Sequence, residues 1–176
     1  MASDQNTPGV PGSSAPAITW PVVRDEATGA AVGCPPTWQR LENALTAITL
    51  AAPLTMIDEG QFRPNLTLTV HPVPKDAADL QVYCPAVVEG MLQAIPGSHV
   101  LAVDRLTLPR DHPARQILFA YREPPHAVVL LQYLTIVEHL ATTVSASCAV
   151  AHFETLLPAF EACLAAFEPG IRERTA

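Results

Sequence analysis

The stretch His126–Cys148, HAVVLLQYLTIVEHLATTVSASC, is the longest apolar region of the chain, and its reading decides the fold. A helix that spans a bilayer needs about 20 uninterrupted apolar residues. Here Gln132 lies inside the first half, and Glu138 and His139 cut the run in the middle. That excludes a clean membrane span. The stretch is dense in Val, Ile, Leu, Thr and Tyr, and its second half, ATTVSAS, is β-branched and small. Such side chains favour strands. Two strands are therefore expected, meeting near Glu138-His139. Tight hairpins prefer Asn-Gly or Asp-Gly at the turn, so the turn residues leave the register open.

Alternation extends the argument. One face of the first strand carries Val128, Leu130, Gln132, Leu134 and Ile136; the other carries Val129, Leu131, Tyr133, Thr135 and Val137. A strand with water on one side alternates apolar with polar. Both faces here are mostly apolar, which predicts cover on both sides and a sheet between two layers. The layers are legible. AHFETLLPAFEACLAAFEPG places Phe153, Leu156, Leu157, Phe160, Leu164 and Phe167 on one helical stripe, with Glu154, Glu161 and Glu168 off it. Pro169-Gly170 ends that helix, and Pro158 either kinks it or opens its main half. KDAADLQVYCPAVVEGMLQAIPG gives a second stripe: Leu80, Tyr83, Val87 and Met91, with Cys84 and Val88 alongside. Asp76 is its expected N-cap, and Pro96-Gly97 its stop.

Further strands are expected at AAVGC (30–34), ALTAITLAA (44–52), NLTLTVHP (65–72), HVLAVDRLTL (99–108) and ARQILFAYR (114–122), with Pro124-Pro125 turning the last into His126. The order is strands, helix, four meandering strands, helix. With few crossover helices the sheet should be largely antiparallel. The expected class is α+β, a three-layer α/β/α sandwich around that sheet. One domain over 18–170 is expected, with a disordered tail at 1–17, rich in Pro, Gly, Ser and Ala, and a short tail at 171–176.

Composition sets limits. A chain of 176 residues is one ordinary domain, able to bury about 70% of its unfolded surface without a disulfide or metal staple. The net charge is −7 and the ten basic residues never adjoin. Nucleic acid and anionic membrane surfaces, which require a Lys/Arg patch, are disfavoured as partners. The N-terminus MASDQNTPGVPGSSAPA shows no charged n-region, apolar core or early Cys for lipidation. A cytoplasmic location is therefore expected, with an envelope location following if a leader once preceded the chain. Cys34, Cys84, Cys148 and Cys163 lie far apart without a Cys-x-x-Cys pair. Free buried thiols are expected rather than a zinc or redox site.

These segments resemble the PsbP-like superfamily. GCPPTW (33–38) looks like its early strand and Pro-x-x-Trp turn, and FRPNLTLTV (62–70) like the approach to its central strand. ARQILFAYR followed by VVLLQYLTIV, with its Gln, looks like the long hairpin; TVSASC followed by FETLLPAFEACLAAF looks like the last strand and closing helix. The likeness spans residues 18–168. The superfamily includes photosystem PsbP proteins, Mog-type Ran-binding proteins, DcrB-type proteins, actinobacterial LpqN/LpqT lipoproteins and Eag-type secretion chaperones. The LpqN/LpqT flavour is nearest, although their lipidated Cys is missing. The resemblance implies an α/β/α sandwich without a shared active site, used to bind partners.

Candidate chemistry is sparse. Cys148 and His152 are four apart at a strand–helix junction, a spacing open to a nucleophile–base pair or half a metal site, but ordinary packing at the junction is the expected reading. RDHPAR (110–115) offers Asp111-His112 as an acid–base pair and two arginines for an anion, or simply a solvated loop. The NLT at 65–67 begins an expected core strand and is set aside as a glycosylation acceptor. No phosphate loop, nucleophile elbow or zinc-binding helix motif occurs. More telling is Gln132 inside an apolar strand, with Thr142, Thr143, Ser145 and Ser147 on the next. Buried amides and hydroxyls must find partners. Either they bond internally, or they line a groove of mixed polarity that receives a peptide or helix. Gln132, Thr143, Ser145 and Ser147 are the partner-binding candidates. The expected function is non-catalytic, adaptor-type protein binding without a cofactor. A cytoplasmic chaperone for an apolar helix of a secreted effector is one alternative, and a Cys/His-dependent hydrolase another.

Overall fold

The computed structural model describes residues 20–57 and 59–170. The tail expectations at 1–17 and 171–176 lie outside the described residues. The stretch His126–Cys148 is a hairpin, as its side chains demand. β8 (His126–Val137) pairs antiparallel with β9 (Leu140–Ala149) from Val137↔Leu140 to Val128↔Ala149. Glu138 and His139 both take positive φ, 49° and 66°. The register therefore closes on the two-residue, left-handed turn that favours Asn-Gly, but built from other residues.

The remaining elements are β1 (Val22–Arg24), β2 (Ala31–Gly33), β3 (Gln39–Leu41), β4 (Ile48–Ala51), β5 (Asn65–Pro72), α1 (Leu80–Ala94), β6 (His99–Leu108), β7 (His112–Glu123) and α2 (Phe153–Ala165). Seven strands form one antiparallel sheet, ordered β3-β4-β5-β9-β8-β7-β6. β1 and β2 form a separate ribbon, so the expected strand at 30–34 does not join the main sheet. β6 to β9 meander, and β9 then closes against β5, placing the two long apolar strands near the middle. An α+β sandwich with a central antiparallel sheet is the observed architecture.

Two cores follow from the alternation of β8. Leu131 and Tyr133 join Val144, Ala146, Phe160, Cys163, Leu164 and Phe167 under α2 and the β1–β2 ribbon. Leu130 and Leu134 join Ile117, Phe119, Leu80 and Cys84 under α1. Asp76 does not cap α1. Asp79 does, its carboxylate accepting the Gln81 N–H at 2.8 Å, because a separate short turn at Lys75–Ala77 delays the helix by one turn. Pro158 lies inside α2, and the helix stops at Ala165, before Pro169-Gly170.

Candidate functional site

β-Strand alternation sorts the polar candidates. The register sets Thr49, Thr67, Ser145 and Gln132 side by side across β4, β5, β9 and β8. Asn65 stands beside Ser147, and Thr69 beside Thr143. All project from the α1 face, because their chain neighbours Leu66, Leu68, Val144 and Ala146 enter the other core. α1 packs on Ile117, Phe119, Leu130 and Leu134 of β7 and β8. The cover expected on this face is thus partial. Thr67, Thr69, Thr143 and Ser145 are only half-buried, and the strip they form is a hydroxyl floor beside the helix.

The floor is bonded unevenly. Gln132 Nε2 donates to Ser145 Oγ at 3.0 Å, and the Thr46 and Thr49 hydroxyls share a bond of 2.6 Å. Gln132 Oε1 is buried with no hydrogen-bond partner among the described residues, in a residue only 7% exposed. An unsatisfied buried acceptor costs about 1–3 kcal/mol. At one end of the strip, Tyr83 of α1 and His71 of β5 share a hydrogen bond between hydroxyl and Nε2. Thr142 does not belong to this strip. It points to the opposite face, where its Oγ1 accepts the Gly170 N–H at 3.1 Å and ties down the segment after α2. Asn65, Thr67, Thr69 and Thr49 were not singled out in the sequence, although the alternate Asn and Thr of NLTLTV carried the signal.

The hydrolase candidates do not assemble. Cys148 is fully buried in the α2 core, and burial pushes its thiol up to about 11. His152 instead lines an apolar hollow of about 220 Å³ with Trp38, Met56, Phe62 and Leu156. Nucleophilic cysteines need a stabilised thiolate, the reverse of this environment. In RDHPAR, Arg110 turns to Glu168, which also takes Arg24, so the alternative of Arg110 and Arg115 joining on one anion is not assembled. Arg110 and Asp111 adopt positive φ in the β6–β7 connection. Among the described residues, no three His, Cys, Asp or Glu side chains cluster for a metal, and no helix is long and apolar enough to cross a membrane.

The buried thiols give a direct check. Burial raises the Cys163 thiol to about 12 and also lifts Cys34 and Cys84. The unfolded thiols ionise near 9.0. The stability held by protonated Cys148 and Cys163 is therefore fully present below pH 9 and falls as pH rises through about 11 to 12. Iodoacetamide at pH 8 should label Cys148 and Cys163 only after urea unfolding, and the urea midpoint should drop between pH 8 and pH 10.5. Fast native labelling of Cys148 would contradict this burial.

No protein-family model matches the chain, and no curated protein matches it. Solved structures do. LpqN of Mycobacterium tuberculosis, described as involved in cell envelope biogenesis, matches with a TM-score of 0.65 at 14% identity, over 86% of this chain and 90% of LpqN. The Pseudomonas aeruginosa protein of unknown function PA94 matches at 0.61 and 14%, over 88% and 99%. The PsbP of Synechocystis sp. PCC 6803, CyanoP, matches at 0.62 and 14%, over 92% and 98%. Such low identities carry the fold and nothing finer. The meander, the closing β9–β5 pair and the two flanking helices, together with these likenesses, give this chain the PsbP-like fold.

Proposed function

We propose that this chain is a non-catalytic, adaptor-type binding protein whose protein partner docks on the hydroxyl strip of β4, β5, β9 and β8. The observation that carries the reading is the row of half-buried hydroxyls, Thr67, Thr69, Thr143 and Ser145, left open beside α1. Of Gln132, Thr143, Ser145 and Ser147, Thr143 and Ser145 are its contacts, joined by Thr67 and Thr69, while the buried Gln132 and Ser147 back them from below. A floor of hydroxyls supplies donors and acceptors rather than apolar area, so the fitting partner presents polar groups. Such contacts are often bridged by water without being weak. The same polarity favours the adaptor over a chaperone for an apolar helix, which would want a greasy floor. A binding role is what the resemblance to the PsbP-like superfamily implies, and the likeness to LpqN makes envelope proteins the first prey to examine.

The test is affinity capture from the native host with three baits: wild type, Thr67→Arg/Thr143→Arg, and Glu154→Arg on exposed α2. Two arginines would meet the partner as unpaired charges. The expected result is one discrete partner, held by wild type and Glu154→Arg and weakened at least about tenfold by the strip variant, whose urea midpoint is unchanged. Equal capture by all three baits, or no partner at all, overturns the proposal.

A further inference from the structure

A second site lies on the other side of α1. Arg105 of β6 and Arg115 of β7 are direct cross-strand partners. Both project from the α1 face, since Leu106 and Ala114 beside them enter the α2 core. Like charges placed opposite one another on a sheet are destabilising, and this chain holds 17 acidic residues that could have relieved them. Three of its other arginines are engaged: Arg24 and Arg110 with Glu168, Arg63 with the Ala52 carbonyl and Gln39 Oε1. Arg105 makes no hydrogen bond or ion pair among the described residues, and Arg115 gives one N–H to the Ala114 carbonyl at 3.3 Å.

Arg105 and Arg115 line a groove of about 270 Å³ between α1 and β6, together with Leu80, Gln81, Cys84, Pro85 and Val103. Val88 and Leu92 continue that flank of α1 at helical spacing, and Val103 and Leu92 are 47% and 42% exposed. Past the arginines the groove opens into a hollow of about 410 Å³ with Pro113 and Ile136 in its wall. Asp79 faces that hollow without an ion pair to either arginine, its carboxylate held by the Gln81 N–H. The Arg115 charge reaches the Cys84 thiol, where it opposes the upward push of burial. The groove therefore sets two cationic side chains beside a wall that is apolar except for Gln81.

We infer that the α1–β6 groove binds an oxyanion, of phosphate-monoester type, carried on an apolar chain. Two planar forks suit the several oxygens of a tetrahedral anion, and the Leu80, Pro85 and Val103 wall takes the chain. The site is independent of the hydroxyl strip, which lies across α1. Titration calorimetry on the whole chain with octyl phosphate, inorganic phosphate and octyl glucoside tests it. Octyl phosphate should bind, more tightly than inorganic phosphate by about tenfold and more weakly as salt rises. Octyl glucoside should not bind. Arg105→Ala/Arg115→Ala should weaken octyl phosphate by about tenfold or more, while Arg40→Ala changes nothing. The double variant should melt no lower than wild type, because a like-charge pair is removed. Sedimentation with phosphatidic acid vesicles separates sources: co-sedimentation assigns a lipid headgroup, and its absence alongside octyl phosphate binding assigns a soluble ester. Failure to bind either, or binding indifferent to the two arginines, overturns the inference.

Discussion

Truncating Leu131 or Leu134 of β8 to alanine is expected to lower the unfolding free energy by about 2–5 kcal/mol each, and the two losses should nearly add. The residues sit three apart on one strand, both essentially inaccessible at 1% and 0% exposure. Leu131 belongs to the core beneath α2, and Leu134 to the core beneath α1. They share no cavity, because the sheet itself separates them. A domain of this kind holds only about 5–15 kcal/mol in all, so the double variant should be close to unfolded at room temperature. Urea denaturation of the three variants measures this. A Leu134→Ala cost below about 1 kcal/mol would show that α1 lies loosely on the sheet and that the second core adds little.

Gly33→Ala should be nearly as damaging as a leucine truncation although it adds only one methyl group. A Cβ at Gly33 would stand 3.1 Å from Cys163 Cα and 3.2 Å from the Ala162 and Cys163 carbonyl oxygens. These are backbone atoms of α2, which no rotamer change can withdraw. β2 therefore packs on α2 backbone to backbone, and the methyl must push the helix off the α2 core. Overpacking of this kind costs about 1–3 kcal/mol. Gly90→Ala in α1 is the matched control, since nothing lies within 4 Å of its added Cβ. It should leave stability unchanged or raise it by about 0.4–1 kcal/mol. Equal urea midpoints for the two alanine variants would mean that the close approach of β2 to α2 does not hold in solution.

Much of this architecture is local and was legible in the residues. β5 at Asn65–Pro72 and β6 at His99–Leu108 coincide with the stretches read from alternation. The stripes of α1 and α2 bury the side chains their spacing selected. What was missed has no local signal. β1 and β3 are three residues each and exist as strands through their pairing with β2 and β4. Asp76 and Asp79 are equally good caps by composition, and the short turn at Lys75–Ala77 chose between them.

By itself the sequence determined the two-sided apolar hairpin, the two amphipathic helices and hence a covered antiparallel sheet, because periodicity acts between neighbours along the chain. It also singled out Gln132, Thr143, Ser145 and Ser147, which share a face by simple alternation. Only the tertiary structure decided that Thr67 and Thr69 of β5 complete that face, that Arg105 meets Arg115, and that Cys148 and His152 go separate ways. Each of these depends on strand register or helix placement between distant segments. That register is settled by how the whole core closes, not by any one stretch of residues.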